Sequence, residues 1–252
     1  RQDVLVVCLA LTETDWYKRQ LRDNPVRPFD ATAAPDIWKG GNAVMPTWKP
    51  HSLSDAQIAQ AEGQLLPRDF TLQIGPISHV LRKGTPIYSR DFAVLRILQD
   101  NHGRRPIAWS LTTGGEFYGL ERYLLQQGLV MKLETGAVDT TRVDVDNHRI
   151  LGVALDVPTT DRLAWGTYRY AGLLRDKPNQ LEPTAAGVAN NLSLPFSQLA
   201  YAYEARSDRD RAINNLNRAA QLSTNAALKR ALMSMLVQPR GDSPPGDSAP
   251  YK

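Results

Sequence analysis

Two short polar segments follow predicted strands and carry residue types that could bind a ligand. The first is Thr14, Asp15 and Trp16, after the apolar residues 3–11, and the second is Thr112, Thr113 and Gly114, after the apolar residues 107–111. Ligands of open parallel sheets bind at the carboxyl ends of the strands. We therefore expect both segments to form a binding face, where Asp15 beside an aromatic ring would suit a sugar. In the alternative interpretation, Asp15 caps the following helix and Trp16 packs against it.

The other motifs do not form a self-contained catalytic centre. The sequence contains no P-loop, no nucleophile elbow and no G-x-G-x-x-G segment. The four histidines do not have the spacing of zinc ligands. Gly114 and Gly115 could form an anion-binding turn before a helix, or only a tight turn. We therefore predict no catalytic residue, no metal site and no cofactor.

Composition and charge narrow the class of protein. The formal net charge of the 252 residues is +4, and the basic residues are dispersed, which argues against a nucleic-acid partner. The single cysteine, Cys8, lies in an apolar run and is expected to be buried as a small hydrophobic residue. No apolar run reaches the roughly 18 residues that a membrane span needs. Because the chain begins with Arg1 and opens on a predicted core strand, we expect it to be the C-terminal part of a larger protein.

The order of predicted elements favours an α/β fold. Strands are expected at residues 3–11, 68–74, 107–111 and 129–133, and helices at residues 16–22, 90–101 and 116–127. Alternation of strands and helices is typical of a parallel sheet. We predict a Rossmann-like, mostly parallel sheet with flanking helices over residues 1–158. Residues 28–51 are interpreted as a long loop.

The C-terminal third has a helical pattern. Helices are expected at residues 161–174, 191–206, 209–222 and 225–237, which defines a helical segment at residues 159–240, followed by a disordered tail at residues 241–252. Residues 196–224 match one tetratricopeptide repeat, with large and small apolar residues at the expected spacing: Phe196, Leu199, Ala200, Tyr203, Ala212, Leu216 and Ala219. One such pair of helices is either a structural buttress, which we favour, or a groove for a partner.

Three stretches together resemble a known family. They are residues 3–7 running to Thr14-Asp15-Trp16-Tyr17, residues 91–101 with Arg104-Arg105-Pro106-Ile107, and Gly119-Leu120-Glu121 through Gly128-Leu129. They resemble the C-terminal soluble region of bacterial multi-spanning membrane proteins that are grouped with the protein O-mannosyltransferases. The family's Gly-Asp-Asn-Asp type segment, expected just before Arg1, is not in this sequence. The family's membrane helices, with the acidic residue expected to act as base, are not in it either, so no catalytic residue is carried over.

The resemblance implies a function and a location. The chain would be the extracytoplasmic (periplasmic) domain of a membrane-anchored glycosyltransferase. It would contact its own N-terminal membrane domain and help to bind an acceptor protein or glycan, without catalysis of its own. The alternative is a scaffold module that binds a protein through the tetratricopeptide-like helices. A free-standing enzyme on a Rossmann-like layer is the third and least favoured hypothesis.

Overall fold

The computed structural model describes residues 5–23, 49–113, 116–142, 144–150, 152–175 and 181–224, together with Arg230 and Ser234. The chain folds into two compact units. The first comprises Arg1–Trp109, Thr113–Leu124 and Lys132–Val138, and the second comprises Ser110–Thr112, Leu125–Met131 and Asp139–Lys252. Each unit is therefore assembled from segments that are not contiguous in sequence.

The described residues of the first unit form three α-helices and two small antiparallel sheets. The helices are α1 (Asp15–Asp23), α2 (Asp55–Ala59) and α3 (Ser89–Asn101), and the strands are β1 (Gln64–Leu65), β2 (Phe70–Ile74), β3 (Ile77–Leu81) and β4 (Pro86–Ile87). Strand β1 pairs with β4, and β2 pairs with β3. The helices α1 and α3 are joined by Lys18, whose fully buried side chain donates to Ser89 Oγ at 2.5 Å.

A third sheet is mixed. Its strands are β5 (Ala108–Ser110), β6 (Leu124–Gln127), β7 (Val130–Leu133), β8 (Val145–Ile150) and β9 (Val153–Asp156), in the order β5-β7-β6-β9-β8. Strand β6 runs parallel to β9, whereas β8 runs antiparallel to β9. With seven α-helices among the described residues, the chain belongs to the mixed α/β class, and this part of the predicted fold is confirmed.

The second unit includes a long helical hairpin. It contains α4 (Val157–Asp161), a π-helical turn (Arg162–Thr167), α5 (Ala171–Arg175), α6 (Pro183–Ala205) and α7 (Arg209–Leu222). Glu182 caps α6 by accepting from the backbone of Thr184 and Ala185, and Asp208 caps α7. The two helices are antiparallel, because Asn190 Nδ2 near the start of α6 donates to Thr224 Oγ1 beyond the end of α7 at 2.6 Å.

The hairpin is built on the residues that its sequence pattern singled out. Phe196, Leu199, Ala200, Tyr203, Ala212, Leu216 and Ala219 all belong to one buried hydrophobic cluster. Small alanines allow the helices to approach closely, and the large residues fill the space between them. The amides of Gln126 and Gln198 are also buried, and Gln198 donates to Gln126 at 2.6 Å, which satisfies two polar groups inside this unit.

Three predictions about local structure are wrong. Residues 5–10 form no strand; Val6 is 80% exposed and Cys8 is exposed, and the Cys8 amide donates to the Tyr17 hydroxyl instead of to a neighbouring strand. Residues 116–127 form no α-helix, because Tyr118 and Gly119 both have positive φ angles, 55° and 74°, and the chain then passes through a 3-10 turn (Glu121–Tyr123) into β6. The helix expected at residues 161–174 is divided by its π turn and by an extended Tyr168.

Other predicted elements are confirmed or lie outside the described residues. Strands β2, β5 and β7 and helices α1, α3 and α7 lie within a few residues of their predicted positions. Helix α6 ends where predicted but begins at Pro183, earlier than the predicted residue 191. The long loop falls mostly in residues 24–48, and the last helix and the tail follow Thr224; apart from Arg230 and Ser234, which are helical, these lie outside the described residues. Among the described residues, no helix has both the length and the apolar character needed to cross a membrane.

The central position of Phe196 predicts a large loss of stability on its truncation. Phe196→Ala leaves a cavity in the hairpin cluster, and we expect the free energy of unfolding to fall by about 3–5 kcal/mol. Urea unfolding followed by circular dichroism measures the change. Val188→Ala, at an exposed position of α6, is the matched control and should leave the midpoint nearly unchanged. A midpoint for Phe196→Ala close to that of the control would contradict this account of the core.

Candidate functional site

The first predicted binding segment lies at the start of α1. The carbonyl of Thr14 accepts the first helical hydrogen bond from Lys18, and the Asp15 carboxylate lies 3.5 Å from Lys18 Nζ and 4.0 Å from Arg19 Nη2. Trp16 is 55% exposed and meets Tyr17 edge to face. The carboxylate is thus engaged by two cations of its own helix, whereas the indole ring is open to solvent.

The second predicted segment follows β5. Thr112 and Thr113 lie in a 3-10 turn (Leu111–Thr113), and the hydroxyls of Ser110 and Thr112 are 2.9 Å apart. Gly114 and its neighbour Gly115 lie outside the described residues. Thr112 belongs to the second compact unit, whereas Thr113 and the Thr14–Trp16 segment belong to the first. The common binding face of the two segments stays a prediction.

The first unit has a cleft of about 390 Å³ at the start of α3, which we name the α3 cleft. It is lined by residues from β3, β4, α3 and the Glu116–Gly119 turn, namely His79, Val80, Leu81, Arg82, Thr85, Pro86, Ile87, Tyr88, Arg90, Asp91, Glu116, Tyr118 and Gly119. The imidazole of His79 packs where a side chain at residue 119 would begin: a Cβ there would lie 2.4 Å from His79 Nε2. Only glycine fits this position, which also has a positive φ.

Most polar groups of the α3 cleft satisfy one another. The Tyr118 hydroxyl donates to Asp91 Oδ1 at 2.9 Å, and the Tyr88 amide donates to Asp91 Oδ2 at 2.7 Å. Arg90 donates to Glu116 at 2.6 Å, and its Nε, which has no hydrogen-bond partner, still lies 3.6 Å from the Glu13 carboxylate. Burial, followed by the charge of Asp91, raises the pKa of Tyr118 well above its usual range. The hydroxyl thus remains a donor that orders the cleft.

The second unit has a larger open cavity along α7, which we name the α7 groove. Its volume is about 600 Å³, and its lining is mostly polar: Asp161, Trp165, Arg211, Asn214, Asn215, Asn217, Arg218 and Gln221. Residues 211, 214, 218 and 221 are spaced by three or four, so they form one stripe along the helix. Arginine and amide side chains in one stripe can donate and accept hydrogen bonds along the whole groove.

Trp165 reaches the α7 groove because α4 continues as a π-helical turn. The indole Nε1 donates to Asn215 Oδ1 at 3.1 Å, and the ring packs edge to face on the buried Phe196 with 5.1 Å between centroids. Tyr170 packs on Phe196 in the same way at 5.7 Å. Single π turns are frequent at functional sites. Here the wider turn presents an aromatic ring, 40% exposed, beside a polar helix face.

Arg218 is the cation that these rings hold. Its guanidinium carbon lies 5.0 Å from the centroid of Trp165 and 5.1 Å from that of Tyr170, so two cation–π contacts restrict the side chain. Its Nε is buried without a hydrogen-bond partner, and no carboxylate of the described chain forms an ion pair with Arg218. A positive charge that is partly removed from water and has no counter-ion favours a bound anion.

Arg211, the first residue of the stripe, is already engaged. Its Nε lies 3.4 Å from Asp208 Oδ2, and its guanidinium lies over the Tyr203 ring at 5.3 Å. A hydrogen bond to Tyr203 is the main cause that raises the pKa of Arg211. Asp161 adds a negative charge close to this pair. The two arginines of the α7 groove are therefore not equivalent, because among the described residues Arg211 has a carboxylate partner and Arg218 has none.

The sequence contained a signal for this groove that motif searching does not detect. Arg211, Asn214, Arg218 and Gln221 place four polar residues on one face of a helix whose opposite face carries Ala212, Leu216 and Ala219. Such a stripe usually faces only solvent. The contribution of Trp165, about fifty residues earlier in the chain, distinguishes this one, and it is visible only in the folded structure. The described residues contain no group of His, Cys, Asp and Glu that could hold a metal ion.

The raised pKa of Tyr118 gives a testable pH dependence. The unfolded state loses this proton near pH 10, whereas the folded state keeps it, so stability falls as the pH rises above 10. We expect Tyr118→Phe to cost about 1–3 kcal/mol of unfolding free energy at neutral pH, because Asp91 loses a donor, and to make the alkaline decrease shallower.

Ultraviolet titration of the nine tyrosines at 295 nm is the second measurement. Tyr118→Phe should remove one late-titrating tyrosine from the folded chain. Because burial also raises the pKa values of Tyr168 and Tyr203, the titration of Tyr88→Phe, at an exposed ring, is the control. An equal number of late-titrating tyrosines in Tyr118→Phe and in the wild type would show that the Tyr118 hydroxyl is not held by Asp91.

Comparison of the chain with protein-family models, with curated proteins and with solved structures gives no match. The candidate sites are therefore defined by their geometry and chemistry alone.

Proposed function

We propose that the chain is a polypeptide-binding module and that the α7 groove is its binding surface. The observation that carries the proposal is Arg218, a guanidinium held by two aromatic rings in an open polar groove, with no carboxylate partner in the part of the chain that the structure describes. Arginine and tryptophan are also among the residue types most enriched at the positions that dominate the energetics of protein interfaces. Of the two cavities, the α7 groove has the cation that needs a ligand, whereas the polar groups of the α3 cleft largely satisfy one another.

An extended polypeptide fits the polar stripe better than a compact ligand does. Asn214 and Gln221 are seven residues apart on α7, which corresponds to roughly 10 Å along the helix axis. An extended chain covers that distance with about three residues. Both side chains are exposed amides, which can donate to and accept from the backbone of such a segment.

The fold and the resemblance give this proposal its context. We propose that α6 and α7 are a tetratricopeptide-like pair, supported by the burial of the seven pattern residues in one cluster. A Rossmann-like arrangement is supported only by the parallel β6–β9 pair. In a membrane glycosyltransferase resembling the protein O-mannosyltransferases, the module would sit on the extracytoplasmic side and bind the acceptor polypeptide, while the membrane domain carries out the transfer.

Removal of the two amides tests the binding surface. The chain, fluorescently labelled, is applied to an array of immobilised 12-residue peptides of random sequence, and one bound peptide is then measured by fluorescence polarisation. We expect Asn214→Ala with Gln221→Ala to weaken binding about tenfold, since each lost hydrogen bond contributes about 0.5–1.5 kcal/mol. Alanine favours the helix, so the fold should persist.

Gln60→Ala with Gln64→Ala is the matched control, because it removes two exposed amides from the first unit. It should bind as the wild type does. Absence of bound peptides, or equal binding by the groove variant and the control, would rule out the α7 groove as a polypeptide-binding surface.

The sugar site predicted at Thr14, Asp15 and Trp16 requires a separate test on a glycan array. If an acceptor glycan binds there, Trp16→Ala should abolish the signal, because the exposed ring is the open part of that segment. Asp15→Asn should weaken it while keeping the size of the side chain next to the buried Lys18. A signal that is unchanged in both variants would eliminate this segment as a glycan site.

A further inference from the structure

We infer that the polypeptide held in the α7 groove carries an acidic residue, whose carboxylate pairs with Arg218. This inference rests on the proposed function and names the chemistry that the groove selects. The inference concerns one side chain of the ligand, the one that faces Arg218. The proposed function requires only that the groove binds a polypeptide, which its test examines through the amides of Asn214 and Gln221.

The charge balance of the α7 groove favours a carboxylate as the partner of Arg218. Arg211 has Asp208 as an ion-pair partner and Asp161 nearby, so its charge is matched from within the chain. Arg218 has no carboxylate partner among the described residues, and its Nε is buried without a hydrogen bond. The cation–π contacts offset part of the cost of burying this charge, but an aromatic ring does not supply the hydrogen-bond acceptors that the guanidinium requires. A carboxylate supplies two acceptor oxygens in the geometry that a guanidinium matches best.

The side chain of Arg218 is preorganised to bind a carboxylate. Phe196 is fully buried and fixes both Trp165 and Tyr170 edge to face, and these two rings in turn fix Arg218. A free arginine loses much side-chain freedom when it binds an anion, and that loss weakens binding. Here the fold has already restricted the side chain, so a carboxylate gains more from this arginine than from one on an open surface.

The position of Arg218 within the stripe determines which residue of the bound segment it can contact. It lies between Asn214 and Gln221, four residues after the first and three before the second. If the amides hold the backbone of an extended segment about three residues long, the side chain that faces Arg218 belongs to a central residue of that segment. The groove thus selects an acidic residue flanked by backbone held at both sides, rather than a free acidic terminus or a diffuse acidic patch.

The experiment uses the same random peptide array and the full chain. Peptides bound by the wild type should be enriched in Asp or Glu at one position, and Arg218→Glu should replace that preference with Lys or Arg. For one bound peptide, Arg218→Gln should weaken binding about tenfold or more, as expected for a lost hydrogen-bonded ion pair. Arg169→Gln, an exposed arginine of the same unit outside the groove lining, makes the same change in net charge and should bind as the wild type does.

A double-mutant cycle completes the test. Changing the acidic residue of the peptide to its amide should weaken binding to the wild type by the same factor as Arg218→Gln does, and should cause no further loss with Arg218→Gln. The comparison of the two peptides on the wild type remains valid even if a variant is poorly folded. Peptide binding without an acidic preference, or with additive effects in the cycle, would overturn the carboxylate assignment but leave the proposed function standing. Failure of the wild type to bind any peptide would overturn both.

Discussion

The packing of Trp165 and Tyr170 on Phe196 is the contact on which the candidate site depends. Phe196 lies in the middle of α6 and is fully buried, so its position is set by the hairpin core and not by the groove. The two rings that it supports come from the π turn and from the residues before α5. Because they restrict Arg218 on α7, one buried aromatic residue couples the core of the hairpin to the chemistry of its surface.

The two cavities differ in how their polar groups are satisfied. In the α3 cleft, Asp91 accepts from Tyr118 and from the Tyr88 backbone, and Arg90 lies among Glu13, Asp91 and Glu116. Such a network orders the loop that carries Tyr118 and Gly119, both with positive φ. In the α7 groove, Arg218 lacks that internal compensation. A mutually satisfied network stabilises a fold, whereas a partly desolvated cation with no carboxylate partner among the described residues favours a bound anion.

Many elements can be predicted from the sequence because their signals are local. Helix α3 has a regular apolar face, α7 has alanines and leucine at helical spacing, and β2, β5 and β7 have apolar runs bounded by turn residues. The hairpin core could be predicted residue by residue, since the large and small positions of α6 and α7 determine how closely two antiparallel helices approach. The change from an α/β to a helical pattern predicts domain boundaries after residues 158 and 240, and these boundaries stay predictions. In the fold, β6 pairs with β9, and Leu125–Met131 lies in the same compact unit as Asp139–Lys252.

The amino-acid sequence alone specifies the α/β class, the hairpin of α6 and α7 with its buried residues, and the lack of a recognisable catalytic motif. What the polar residues do depends on the tertiary structure. From the sequence, Asp15 is either a ligand-binding carboxylate or a helix cap, and in the fold it pairs with Lys18 and Arg19. Arg218 has no signal in the sequence beyond that of a surface charge. The physical reason is that the environment of a charge depends on neighbours distant in sequence. Trp165 lies far from Arg218 along the chain, and no periodicity in α7 encodes that the two side chains meet.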